Sequence, residues 1–163
     1  MKIIFSRKGF DSAAGGFPSP VYGDESLVSL PIPEANPQPG DLRYADVDIG
    51  ATSLGAIVEQ LSEGRVRATD PVHLDPDLRA ESLPRADGWR PAFGQAGSAQ
   101  GHLARQNVGP GDLFLFFGSF AHAVNECGKH EYRDKGARFH ALFGWLQVDG
   151  VLDPKLGSAS LPV

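Results

Sequence analysis

Short apolar runs separated by long polar stretches rich in glycine and proline set the plan of this chain. Ile3-Ile4-Phe5 is continuous apolar sequence, which predicts a strand over 2–6, covered on both faces and central in its sheet. Alternation through Leu27, Val28 and Leu30 predicts a second strand over 26–32, ended or held at an edge by Pro31 and Pro33 and paired with the first as a hairpin. After a proline-rich loop, residues 42–47 read as a short strand or extended segment. Leu54, Ile57, Val58 and Leu61 stand at i, i+3, i+4, i+7, so a helix is predicted over 53–63, with Thr52 or Ser53 as its N-cap and Gly64 as its stop. A second helix over 95–106 is predicted despite Gly97 and Gly101, each of which costs ~1 kcal/mol relative to alanine. Leu113-Phe114-Leu115-Phe116-Phe117 opens from the turn Val108-Gly109-Pro110-Gly111-Asp112 and must be buried; a further strand over 139–148 returns antiparallel to it, across a polar connection over 122–138. Trp89 and Phe93 are expected to pin the loop over 83–93 to the body.

Together these elements predict an α+β fold: a mainly antiparallel, barrel-like sheet from strands near 2, 27, 113 and 140, with one or two packed helices and long ordered loops. At 163 residues the chain suits a single domain over 1–163 with room for a real core. The 20 glycines and 13 prolines favour turns and short strands over a helical bundle.

Charge narrows the function classes. A net charge of -5 argues against coating nucleic acid by a broad basic face, and leaves a local basic mouth open. A single cysteine, Cys127, excludes an internal disulfide framework, and the apolar start is too short for a signal peptide. No run approaches the roughly 20 apolar residues of a membrane span, so a cytoplasmic protein is expected. The sequence has no Gly-x-x-x-x-Gly-Lys-Ser/Thr loop, no paired cysteines suited to zinc and no Gly-x-Ser-x-Gly elbow, which weighs against an ATPase, a zinc deaminase and an α/β-hydrolase.

Candidate chemistry gathers in two stretches. Ser6-Arg7-Lys8-Gly9-Phe10-Asp11-Ser12, with Gly15-Gly16 and Pro18-Ser19-Pro20 behind it, puts a guanidinium, an ammonium, a carboxylate and a hydroxyl on a shaped loop. Arg7 can fork onto a phosphate, Lys8 can add a point charge and Asp11 can act as a base; equally, Arg7 or Lys8 can pair with Asp11 while Ser12 caps a turn. In the second stretch, His73, Asp75 and Asp77 alternate, so an extended backbone would aim all three at a divalent metal, although Asp-Pro pairs are also ordinary turn formers. His102, between Gln100 and Gln106, is a third polar candidate, and Cys127 with His122 or His130 is a weaker nucleophile arrangement.

The first loop, Leu30-Pro31-Ile32-Pro33, His73-Leu74-Asp75-Pro76-Asp77, the 109–118 stretch and Leu142-Phe143-Gly144-Trp145 occur in the order that resembles the nucleotide modification associated domain 3 family. The resemblance implies a bacterial or phage setting in which DNA or nucleotides are modified, with other modification-system proteins as partners. It also implies that relatives continue past the Trp145 strand, so that this chain is expected to be C-terminally short. The stretch from Gly111-Asp112 to Phe117 together with 142–148 is similar, more weakly, to the PUA-like barrels, including ASCH and EVE domains.

The leading expectation is a pocket for a nucleotide or an extruded base of nucleic acid, where it is chemically modified. Lys8, Asp11 and His102 would do the chemistry, Arg7, Phe10, Ser12 and Trp145 would bind substrate, and His73, Asp75 and Asp77 would hold any divalent metal. The alternatives are a PUA-like reader that recognises a modified base without altering it, and a structural accessory protein in which Arg7, Lys8 and Asp11 form an ion network.

Overall fold

The computed structural model describes residues 1–50, 52–133 and 137–152. Its strands are β1 (Ile3–Arg7), β2 (Ser19–Val21), β3 (Asp48–Ile49), β4 (Thr52–Ser53), β5 (Leu113–Glu126), β6 (Lys129–Tyr132) and β7 (Phe139–Gln147), and its α-helices are α1 (Leu54–Leu61) and α2 (Gly97–Arg105). The 14-residue β5 is the axis of a five-stranded sheet. Along one edge it pairs in parallel, first with β1 from Ile3↔Leu113 to Arg7↔Phe117, then with β2 from Ser19↔Phe120 to Val21↔His122. Along the other edge β7 and β6 run antiparallel to it.

This arrangement corrects the expected architecture. The sheet is mixed and open, and among the described residues it does not close into a barrel, so the likeness to PUA-like barrels is not upheld. Parallel strands need a long crossover, and most of the chain lies between β1 and its partner β5. The expected hairpin between residues 2–6 and 26–32 does not form: the latter contributes one bridge, Leu27 to Val21, and no strand. Nor is β1 covered on both faces, since Ile3 and Phe5 are more than half exposed. Residues 44–46 are a turn of 3-10 helix where an extended segment was predicted.

The runs near 113 and 140 do form the expected antiparallel pair, but the first is buried only at Phe114 and Phe116, with Leu113, Leu115 and Phe117 half-buried, and it extends further than predicted. β5 continues through the supposed connection to Glu126, then reverses at Cys127-Gly128, whose φ angles of 52° and 87° are those of a two-residue hairpin turn. The Asn125 amide oxygen secures that turn by accepting the Gly128 N–H at 2.9 Å. An extra β7 residue between the pairs Phe116↔Gly144 and Phe117↔Leu142 makes a bulge.

Two apolar clusters hold the sheet. α1 is capped by Ser53 Oγ, which accepts the Gly55 N–H at 3.1 Å, and buries Leu54, Ile57, Val58 and Leu61 against Phe10, Phe17 and Tyr44. Each such aliphatic side chain contributes about 1.5–3 kcal/mol. The second cluster, Phe114 and Phe116 of β5 with Phe93, Leu78 and Leu103, lies on the face of the sheet that also carries Ile4 and is covered by α2 and the loop over 83–93. Phe93 does pin that loop, its ring 4.9 Å from Phe114 and 5.0 Å from Phe116. Among the described residues no helix is long and apolar enough to cross a membrane.

His130 of β6 gives the fold a pH dependence. Its Nδ1 lies 2.7 Å from the Tyr22 hydroxyl, its Nε2 is buried without a protein partner among the described residues, and burial pushes the imidazole below its ordinary value. The unfolded chain therefore takes up this proton first, so stability is full above about pH 6.5 and falls as pH drops through the folded value. In urea melts at a series of pH values, His130→Gln is expected to flatten the decline below about pH 6.5. Parallel profiles for variant and wild type would assign the decline to other groups.

Candidate functional site

The first loop leaves β1 with its side chains already sorted by strand alternation. Arg7 stands on the face of Ile3 and Phe5, whereas Lys8 follows Ile4 and Ser6 to the other face, its own N–H closing the ladder on Phe117 O at 2.9 Å. The two cations consequently take different carboxylates. Arg7 Nη2 lies 3.2 Å from Asp11 Oδ2. Burial works against the Asp11 charge, but the N–H groups of Ala14 and Ala13 and the Arg7 guanidinium outweigh it and hold the carboxyl below its ordinary value. Asp11 is thus a fully engaged acceptor at neutral pH, a poor general base. Ser12 is exposed beside it.

Lys8 crosses to the second polar stretch. Its Nζ is 2.8 Å from Asp75 Oδ2 and 4.6 Å from the centre of the Phe93 ring, while Asp75 Oδ1 accepts the Gly94 N–H at 2.8 Å. The side chains of the pair are only 17% and 14% exposed, so both charges are largely withdrawn from water and depend on each other. Gly9, at φ 79°, lets the chain pass this point: a Cβ there would stand 3.0 Å from Ser29 Oγ and 3.1 Å from Leu30 O.

Asp75 forms part of the wall of a cleft of about 620 Å³. Leu74, Pro76, Leu78, Val47, Ile49 and Leu54 supply apolar wall, and Phe143 to Gln147 border it along the edge of β7. That edge pairs with no other strand among the described residues. Polar groups enter at Ser29, Asp75, Asp77, Arg79, Ser82, Arg90 and Asp149. Asp77 is gripped by Arg85 through two bonds of 2.8 and 2.6 Å, and Arg85 in turn stacks 4.2 Å from the Trp89 ring centre. Arg79 is exposed and makes one long bond, 3.4 Å, to Leu27 O; Arg90 pairs with Asp149 at 2.5 Å in open solvent. An apolar cleft with a few convergent polar groups has the size and character of a small-molecule site.

The expected metal triad does not assemble. Asp75 N–H turns back onto His73 O at 3.0 Å, so the stretch is not extended and the alternation that would align the three side chains is lost. His73 Nδ1 instead meets Glu34 at 2.9 Å, Asp75 holds Lys8 and Asp77 holds Arg85. No group of three or more His, Cys, Asp or Glu suited to a metal occurs among the described residues.

The other candidates lie apart. Phe10 is fully buried, 4.6 Å edge-on to Phe17 and 6.2 Å from Tyr44, and has no free face for a base to stack on. His102 sits on α2 at a shallower cavity of about 450 Å³, shared with Phe5, Ser6 and Phe93. Trp145 borders the cleft, but alternation with Gly144, which faces Leu78, puts its ring on the opposite, exposed face of the sheet. Cys127 is exposed in its turn while the His130 imidazole is buried against Tyr22.

Sequence reasoning missed Arg79 and Arg90, which line the cleft, and Arg85, which holds the lining residue Asp77. The signal was present in Asp77, read only as a metal candidate, followed by arginines at 79, 85 and 90, the last two within the stretch over 83–93 read as a loop. Gly94 was missed because its contribution is a backbone N–H.

With this geometry in view, the comparisons with known proteins give one finding. The sequence model of a family described as nucleotide modification associated domain 3 matches residues 2–161. No curated protein and no solved structure matches the chain.

Proposed function

The chain belongs to the nucleotide modification associated domain 3 family, and on that premise we propose that the cleft beside Asp75 binds a nucleotide or an extruded base of nucleic acid for modification. What carries the reading is the meeting of an apolar wall of base-sized capacity with Asp75, Arg79 and Arg90 in one cleft of about 620 Å³. In this reading the base lies against Leu74, Pro76 and Leu78, and the backbone edge of β7 that pairs with no strand among the described residues offers donors and acceptors to its rim. Arg79 and Arg90 take the phosphate, the role first expected of Arg7, which is turned to the other face of the sheet. Lys8 acts through Asp75, fixing the carboxylate against the cleft wall. A localised mouth of this kind also fits an acidic protein, since only one phosphate has to be met.

A non-catalytic reader of modified bases is the second reading, favoured by one observation: Asp75, Asp77 and Asp11 all hold partners already, which leaves none of them a free base. The two readings share the cleft and differ in turnover. Titration of fluorescent nucleotides and short single- and double-stranded oligonucleotides, with and without modified bases, tests what they share. Arg79→Ala is expected to weaken binding roughly 10-fold or more, with no change in thermal stability, because a charge-assisted bond contributes about 1.5–3 kcal/mol and the side chain is exposed. Equal affinity in variant and wild type would remove Arg79 from the site. Mass spectrometry of the bound ligand then separates an altered base from an unaltered one.

A further inference from the structure

Around Leu115, the face of the sheet opposite Phe114 and Phe116 is apolar and exposed among the described residues, whereas farther along β5 the same face is buried at Ser119, Ala121 and Ala123. Register places Phe5, Leu115 and Trp145 in one row across β1, β5 and β7, with Ile3 beside Leu113 and Leu142 beside Phe117. Phe5 is 64% exposed, Trp145 67%, Ile3 54% and Leu142 52%. A sheet layer that is apolar on a face buries it against another layer; here α2 and the loop over 83–93 serve the other face, while the α1 cluster reaches this one only at the far end of β5, where Tyr132 beside Ala123 packs against it.

We propose that this outer face is the interface for a second copy of the chain, two sheets packing face to face about a two-fold axis parallel to β5. Rotation about that axis exchanges the β1 and β7 sides, so Phe5 of one copy meets Trp145 of the other, twice, around the half-buried Leu115. Area favours a protein partner: the four exposed side chains present roughly 500 Å² of apolar surface, at the upper end of what monomers leave bare, and with their polar rim they approach the ~800 Å² per partner of a stable interface. Charge favours a copy of the same chain. The row is neutral, and the cation beside it, Arg7, is already held by Asp11, so a polyanion gains nothing here, while two chains of net charge -5 can approach through a neutral patch.

Sedimentation equilibrium over a concentration series, with Phe5→Glu and Trp145→Glu as variants, tests this assignment. Both side chains are about two-thirds exposed, so each variant should fold, as checked by circular dichroism. The wild type is expected to sediment at twice the chain mass, and each variant to weaken association by at least about thirty-fold, the effect of losing a central aromatic anchor. A wild type that stays monomeric, or a dimer unmoved by either substitution, would overturn the assignment. So would a monomer whose Trp145 fluorescence shifts on adding uncharged lipid vesicles, which would give the face to a bilayer surface.

Discussion

Gly15→Ala is expected to cost about 3–4 kcal/mol of folding stability, the sum of a left-handed backbone penalty and an overpacked core. Gly15 sits at φ 78°, a region that alanine enters only with strain. Its added Cβ would also stand 2.5 to 2.7 Å from ring atoms of Phe10. That ring cannot step aside, because it is fully buried between Phe17 and Tyr44 in the cluster that anchors α1. The clash would pass to the loop between β1 and β2, and through Gly9 and Lys8 to Asp75. Urea denaturation measures the loss directly, and a change under about 1 kcal/mol would mean that the loop carries the methyl by a local shift and does not anchor the site.

Lys8→Met is expected to destabilise the protein by about 2–3 kcal/mol, less than the 3–5 of a fully buried pair because both partners keep some contact with water. The loss comes mainly from what remains: Asp75 would keep its charge at the wall of the cleft with only the Gly94 N–H to satisfy it. Adding Asp75→Asn removes that stranded charge, so the double variant should recover much of the stability lost by Lys8→Met alone. Ligand affinity should follow a different order, since Asp75→Asn keeps a polar group at the wall and Lys8→Met frees it to move. Additive losses in the double variant would show that the two side chains act independently.

How much of this could be read from the chain depended on where each residue's partner lay. α1 was legible because its periodicity and its Ser53 cap are local, although it ends at Leu61 and the left-handed residue that closes it is Glu63, one before the expected Gly64. α2 and the β5–β7 pair were legible for similar reasons. The sheet's topology was not: the parallel pairing of β1 and β2 with β5 joins residues about a hundred positions apart, and nothing near residues 3 to 7 encodes it. The Ile3-Ile4-Phe5 run looked like a doubly covered strand, yet one of its faces is left bare. The β5–β6 hairpin was hidden because Cys-Gly is an uncommon turn pair and the flanking residues are polar.

The two chemistry-bearing stretches were picked out from composition, and the fold does join them, through Lys8 and Asp75. The assignment of partners within them could not be read. Strand alternation sends Arg7 and Lys8 to opposite faces, and a turn at His73 disperses the residues that looked like metal ligands. Phe10 looked like a stacking residue because it lies in a polar motif, but the glycines beside it allow it to turn into the core.

The central claim is that the cleft bounded by Asp75, Arg79 and the edge of β7 is the ligand site. Backbone amide chemical-shift mapping by NMR during titration with a purine and a pyrimidine nucleoside monophosphate tests it most directly. The account predicts saturable shifts at Leu74, Asp75, Asp77, Gly94 and along Phe143 to Gln147, with Asp11 and α2 unmoved. Shifts confined to the α2 cavity around His102, or to the loop at Asp11 and Ser12, would contradict it and move the site elsewhere on the fold.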